Sequence, residues 1–412
     1  MKLRTEFGRR AFLSGTSAAI VSVSSIGRAL SQTAPLKVGI VHPSSGFMSA
    51  VGQQCNRGAE IAPGILRDLG YPQIELMFGD SESNPDTSRT AGERLIQSGA
   101  QILVGAFDSG QTTTLAQAAE QHGIPLVINV AGAPQITEQG YKFVFRNFPR
   151  APDIVTGGLD LHKAIFAITG KVPDKAACMY RNDTYGNAIK GALGAIVPKY
   201  SMPYQIVDFI GYDPQARDLS VEVAKAKASG ASLIIAASVA NDAVLLTREM
   251  VKQRYEPWGI FSAGPGWYEP AYRKALGKFG NYAISTVPWY DPRKKLTQRM
   301  LDVFAKKFPG ELADTGPVYT FEALLIVADA YKRAGSAAPQ ALADALRATN
   351  LPADQTVTVG NGRGISFDAK GQVNGIPMTG VQNLDGAPKV VLPLVSAEGN
   401  LVFPVPGWSS RT

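Results

Sequence analysis

From residue 36 to residue 262 the chain alternates short apolar runs with helical stretches, and that alternation fixes the class of fold. Leu36–His42 is a continuous apolar run between Pro35 and Pro43, the pattern of a strand buried on both faces of a parallel sheet. Helices are expected at 52–69, 86–98 and 112–122, with strands at 74–78, 102–105 and 125–129. Strands separated by helices of roughly 10 to 15 residues imply βαβ units with right-handed crossovers. The segment 145–152, with two prolines, reads as a crossover, after which the pattern restarts. Helices are then expected at 153–169, 185–197, 219–229 and 242–252, and strands at 175–180, 205–210, 233–238 and 260–262. After residue 284 the character changes to three helices, 296–308, 318–334 and 339–349. A glycine-rich stretch over 360–375 with two short β runs follows, and 381–384 and 390–395 read as hairpin strands. The cluster Gly360-Asn361-Gly362-Arg363-Gly364 belongs to a hairpin rather than a phosphate loop, since no helix follows it.

Composition narrows the function. Of 412 residues, 45% are hydrophobic and 18% charged, which suits a globular α/β chain and excludes a disordered or fibrous one. Past the first thirty residues no apolar run reaches the roughly 18 to 20 residues that span a bilayer. Two cysteines and three scattered histidines argue against a metal site or a disulfide framework; Cys55 and Cys178 are expected as separate buried thiols. No cofactor is expected.

The first 31 residues read as a cleaved export signal. Arg9-Arg10-Ala11-Phe12-Leu13 is a twin-arginine pattern, the weakly apolar stretch 16–26 follows, and Ala29-Leu30-Ser31 is a small-x-small cleavage pattern. No cysteine stands at the cut, so no lipid anchor is expected, and the destination is the periplasm. That segment carries +4 of the formal net charge of +7, which leaves only +3 on the rest. Nucleic acid is therefore not expected as a partner: the run Arg293-Lys294-Lys295 and the pair Lys306-Lys307 read as solvated helix faces, without interleaved aromatics.

In open α/β sheets ligands bind beyond the carboxyl ends of the strands. The loops to inspect are Pro43 through Phe47, Ala106-Phe107-Asp108-Ser109-Gly110 and Val130-Ala131-Gly132-Ala133-Pro134 in the first unit. The second offers Asn182 through Gly186, Val239-Ala240-Asn241 and Ala263-Gly264-Pro265-Gly266-Trp267-Tyr268. One set is small and polar, suited to present backbone N–H groups to a carboxylate, and the other carries aromatics. Asp108 reads equally as a helix cap or a ligand contact.

Lys37-Val38-Gly39-Ile40, Ser45-Gly46, Gly52 and Arg57-Gly58-Ala59-Glu60 resemble the opening of the leucine/isoleucine/valine-binding protein family, the type I solute-binding proteins of ABC transporters. The resemblance continues through Gly79-Asp80-Ser81, Asn84-Pro85, Leu103-Val104-Gly105, Gly123-Ile124-Pro125, Phe145-Arg146, Thr184-Tyr185-Gly186 and Tyr319-Thr320-Phe321-Glu322-Ala323. It implies two Rossmann-like lobes joined by three crossovers and closing on ligand like a hinged trap. Lobe one would be 34–150 with 287–352, and lobe two 151–286 with 353–408. It also implies a monomer that hands its ligand to permease subunits.

By the same resemblance, Phe107-Asp108-Ser109 and Val130-Ala131-Gly132 hold the ligand carboxylate, and Tyr185 closes over the ligand. Gly132 stands where amino-acid binders usually carry Thr or Ser. The acid that pairs with the ligand ammonium falls at about Pro265, where no acid stands; Glu269 lies four residues on. A desolvated ammonium without a charge partner costs several kcal/mol, enough to remove most micromolar affinity. With Phe47, Phe107, Tyr185 and Trp267 as an aromatic wall and Val239 beside them, the expected ligand is an aromatic carboxylate without an α-ammonium. An amino acid or amide ligand, and a sensor that docks a membrane receptor, are the alternatives. An enzyme would need a nucleophile; no serine elbow is found, and Cys55 has only His42 near it in sequence.

Overall fold

The computed structural model describes residues 34–359 and 364–411; the export-signal reading and most of the Gly360–Gly364 cluster lie outside them. The chain begins with β1 (Leu36–His42), α1 (Ser49–Asp68), β2 (Ile74–Asp80), α2 (Pro85–Gln97), β3 (Ile102–Gly105), α3 (Ser109–His122), β4 (Leu126–Ile128) and β5 (Val144–Arg146). These five strands form a parallel sheet in the order β2-β1-β3-β4-β5, here sheet A. Residues 145–146, read above as crossover, are therefore strand: Val144 pairs with Leu126 and Arg146 with Ile128. The turn into the next unit starts only at Asn147.

Next come α4 (Ala151–Thr169), β6 (Lys175–Arg181), α5 (Thr184–Ile196), β7 (Gln205–Tyr212), α6 (Ser220–Ala228), β8 (Leu233–Ala237), α7 (Ala240–Lys252), β9 (Gly259–Ser262), α8 (Pro270–Leu276) and β10 (Ile284–Val287). Three helices follow, α9 (Lys295–Lys307), α10 (Thr315–Ala334) and α11 (Pro339–Arg347). The chain ends with β11 (Asn350–Leu351), β12 (Ile365–Ser366), β13 (Thr379–Leu384) and β14 (Ala387–Leu392). Sheet B has the order β14-β13-β10-β9-β8-β6-β7, parallel except where β13 pairs antiparallel with β10 and β14. The expected late hairpin is thus the edge of sheet B.

The late helices return to sheet A. α10 is buried without a break from Thr315 to Ala328, as suits a helix that is core rather than surface. It packs on α1, β3 and β4. The approach to α1 requires Gly58, where a Cβ would stand 2.2 Å from the Pro317 carbonyl oxygen. Within α10 the buried Glu322 accepts from Asn147 Nδ2 at 3.2 Å, Val357 N at 3.0 Å and Thr358 N at 3.1 Å. One carboxylate therefore pins two of the segments where the chain passes between the sheets. Around the same place Asp291 N donates to Val357 O and Val359 N to Trp289 O. Lys294 is only partly a solvated charge: its Nζ donates to Thr356 Oγ1 at 2.7 Å and Thr358 O at 2.6 Å.

Candidate ligand-binding cleft

A cavity of about 50 Å3 lies where the carboxyl ends of the two sheets' strands face each other. Its lining includes Phe107, Asp108, Ser109, Val130, Ala131 and Gly132 from the sheet A side. From the sheet B side come Arg181, Asp183, Tyr185, Ser238, Val239, Pro265 and Tyr268. Nine of the eleven residues singled out above meet here. Phe47 and Trp267 do not.

The sheet A side presents the start of α3 and the 130–133 loop to the cavity. Asp108 caps α3, its Oδ1 accepting from Gly110 N and Gln111 N at 3.0 Å each, so of the two roles considered for it the geometry displays the cap. Ser109 is in the first turn, where helix N–H groups and dipole favour an anion. Its Oγ accepts from Ala133 N at 3.2 Å, tying the α3 start to the 130–133 loop. Phe107 and Ala131 hold φ of +76° and +119°, a sparsely populated backbone region for side-chain-bearing residues. Such residues cluster at ligand sites, held there by their surroundings.

Arg146 is what holds that loop. Its fully buried guanidinium donates to Ala131 O at 3.1 Å, Ala133 O at 2.7 Å, Thr137 Oγ1 at 2.6 Å and Gln372 Oε1 at 2.6 Å. Burial pulls it down to about 9. Every one of those acceptors is neutral, so a buried positive charge sits behind the loop. A trans peptide points its N–H opposite to its C=O; with Ala131 O turned to Arg146, the Gly132 N–H faces away from the guanidinium.

On the sheet B side, Tyr185 reaches across from the first turn of α5. Its hydroxyl donates to Ala263 O at 2.6 Å, and its ring lies against Gly132, where a Cβ would come within 2.8 Å of Cε2. The missing hydroxyl side chain at 132 is thus matched by an aromatic ring in the space it would need. Arg181, at the end of β6, is held by Asp183 at 2.7 Å and Asp242 at 3.3 Å. It was not singled out from the sequence, although a lone arginine closing an apolar strand two residues before an acid is a signal of a buried ion pair.

Two expectations need correcting. Trp267 is fully buried against Tyr272, at 5.3 Å between ring centroids, away from the cavity. Pro265–Trp267 forms one turn of 3-10 helix, and it is the next residue, Tyr268, that lines the cavity and donates to Thr315 Oγ1 at 2.9 Å. Phe47 is 38% exposed and its ring sits 5.7 Å from the Arg181 guanidinium, outside the lining. Glu269 does not line this cavity either; Pro265 does. The pair raised in the enzyme reading is fully buried. Burial pushes the Cys55 thiol up, away from the thiolate a nucleophile needs. His42 is pulled down to about 4 and bonds Asn56 and Asn129.

Residues 35–383 match the family model described as periplasmic binding protein. The chain is 24% identical over 409 residues to a Leu/Ile/Val-binding protein homolog of Brucella abortus, covering 92% of this chain and 97% of that one. Two solved structures share the fold at a TM-score of 0.72 and 18% identity, each covering 90% of this chain. One is a branched-chain amino acid transporter substrate-binding protein from Streptococcus pneumoniae with isoleucine, covered over 100% of its length. The other is an ABC transporter solute-binding protein from R. palustris with benzoate, covered over 97%.

Proposed function

We propose, for a chain that belongs to the periplasmic binding protein family, that it captures a small aromatic carboxylate between its two halves for an ABC importer. The members of this family are substrate-binding proteins, and the family places the chain in the periplasm. The observation that carries the ligand class is an anion-favouring floor facing Pro265, with the two acids of the lining engaged elsewhere, Asp108 in the α3 cap and Asp183 with Arg181. Ser109 at the α3 start, the Gly132 N–H and the buried Arg146 charge favour a carboxylate. Pro265 lines the cavity where an ammonium partner would stand, and Glu269 turns elsewhere. Phe107, Val130, Phe148, Tyr185, Tyr268 and Val287 offer the ligand body an apolar and aromatic wall. That a relative of the same fold was solved with benzoate agrees with this reading. Lobe one takes 34–150 and 287–352, lobe two 151–286 and 353–408, and the ligand is bound when they close; the protein works as a monomer with permease subunits as its partner.

Tyr185→Ala tests the site. Benzoate and related aryl acids are expected to bind the variant at least about tenfold more weakly, roughly 1.4 kcal/mol, in calorimetric titration, with far-UV circular dichroism unchanged. Equal affinity would refute the assignment of the cleft.

A further inference from the structure

The segment 368–373 brings a buried amide behind the 130–133 loop. Arg146 N donates to Gly371 O at 2.7 Å and Val373 N to Arg146 O at 3.0 Å, so the segment runs parallel to β5 along the edge of sheet A. Gly371 permits the approach: its φ is +74°, and a Cβ there would stand 2.2 Å from the Val144 carbonyl oxygen. The next residue, Gln372, is buried, and its amide is fixed at both ends. Nε2 donates to the carbonyl oxygen of Phe148, a residue of the cleft lining, at 2.8 Å, and Oε1 accepts from Arg146 Nε at 2.6 Å. The other bonds of Arg146 go to Ala131 O, Ala133 O and Thr137 Oγ1. The charges that act on it are Arg150, Asp153, Glu138 and Asp368, and none of them is a hydrogen-bond partner. Asp153 and Glu138 already pair with Arg150, at 2.9 and 3.8 Å, and Asp368 accepts from Lys370 N and Gln372 N.

A buried cation is costly unless a counter-charge is placed against it, and a neutral acceptor satisfies its N–H groups without supplying one. The cleft is one peptide away: Ala131, whose carbonyl Arg146 holds, and Gly132 both line it. An anion bound over those two residues is the counter-charge that the guanidinium lacks, and away from bulk water such a pair interacts far more strongly than in it. We propose that Gln372 is a specificity-determining positioning residue for the cleft: by meeting Arg146 with an amide rather than a carboxylate, it leaves the guanidinium charge to act on the ligand's carboxylate. A glutamate in its place would take up that charge before any ligand arrived. This role rests on the carboxylate reading of the cleft proposed above, and not on the aromatic one.

The test compares Gln372→Glu with Gln372→Met in calorimetric titration. Both variants lose the bond to Phe148 O, and only the first adds a negative charge. Benzoate is expected to bind Gln372→Glu at least about tenfold more weakly than Gln372→Met, and benzamide, its uncharged counterpart, to bind the two alike. If Gln372→Glu fails to fold, Thr137→Asp, at the other end of the guanidinium, makes the same comparison with Thr137→Val. Equal benzoate affinity in the charged and uncharged variants, or an equal loss for benzamide, leaves Gln372 a packing role only and overturns the proposal. A wild-type protein that binds leucine and not benzoate overturns the aromatic reading alone, and leucine then takes the place of benzoate in the comparison. A wild-type protein that binds neither overturns both.

Discussion

At the scale of single residues, the space at position 132 decides which side chains the cleft can carry. A Cβ there would stand 2.8 Å from Tyr185 Cε2 and 3.4 Å from Ile154 Cδ1. Gly132→Ser, which restores the hydroxyl usual in amino-acid binders, is therefore expected to lose about 1–3 kcal/mol of stability by overpacking. Removing the ring should relieve it: the double variant with Tyr185→Ala is expected to be more stable than the sum of the singles by about 0.5 kcal/mol or more, measured by urea unfolding. Titration is decided by residues too. Burial and neighbouring acids push Glu269 up to about 8, so the folded protein keeps that proton where the unfolded chain, near 4.5, gives it up. The folded state binds more protons between those values, so this group's contribution to stability falls as pH rises from about 4.5 to 8. Asp314, pushed up to about 7 mainly by burial, acts in the same sense. The buried histidines act in the opposite sense, on the acid side. His42 is pulled down to about 4 and His162 to about 3, so stability drops as pH falls below 6.5. Across pH 5 to 8, Glu269→Gln should flatten the decline in Tm relative to the wild type; an unchanged profile would mean Glu269 titrates normally.

At the scale of elements, periodicity and apolar runs located the long helices and most strands of both sheets, because most carry enough of their own pattern. It placed helix starts too late. α3 begins at Ser109 rather than 112, α5 at Thr184 rather than 185, and α10 at Thr315 rather than 318. In each case an aspartate caps the helix, Asp108, Asp183 or Asp314, and the first turn it secures is polar or small, invisible to an apolar repeat. β5 was missed because three residues carry no period, and its identity comes from pairing with β4. The same limit hid β10 and α8, four and seven residues long. In the cleft, loop position after each strand made most of the lining legible. What was not legible is which of two adjacent aromatics a single 3-10 turn sends inward, Tyr268 and not Trp267. Arg146 and Arg181 were also hidden, since their roles depend on carbonyls and carboxylates distant in sequence. The α3 cap makes a prediction at this scale. Asp108→Ala should cost about 1 kcal/mol and weaken aryl-acid binding by loosening the Ser109 turn. Asp108→Asn, which keeps the acceptor, should bind nearly as the wild type; a large loss in Asp108→Asn would instead assign the carboxylate charge a direct part in the site.

At the scale of the molecule, the two halves are in contact in this structure. Tyr268 meets Thr315, the Tyr185 ring meets Gly132, and Asn241 Nδ2 approaches Phe47 O at 3.5 Å. The cavity of about 50 Å3 is smaller than the roughly 150 Å3 that accommodates benzene in an engineered protein cavity. On the proposed function, an aryl acid is expected to need the halves further apart than they stand here. A ligand touching both halves stabilises only the closed form, so binding is read as added stability of the whole chain. The aromatic-acid assignment turns on which ligands do this. The direct measurement is thermal unfolding against benzoate and other aryl acids, aliphatic acids, and branched-chain and aromatic amino acids. A ligand at 100 times its Kd adds about 2.7 kcal/mol, and each kcal/mol moves Tm by roughly 2–4 °C. A rise of that order is expected with aryl acids and none with leucine or isoleucine. A rise with the amino acids and none with the aryl acids would contradict it.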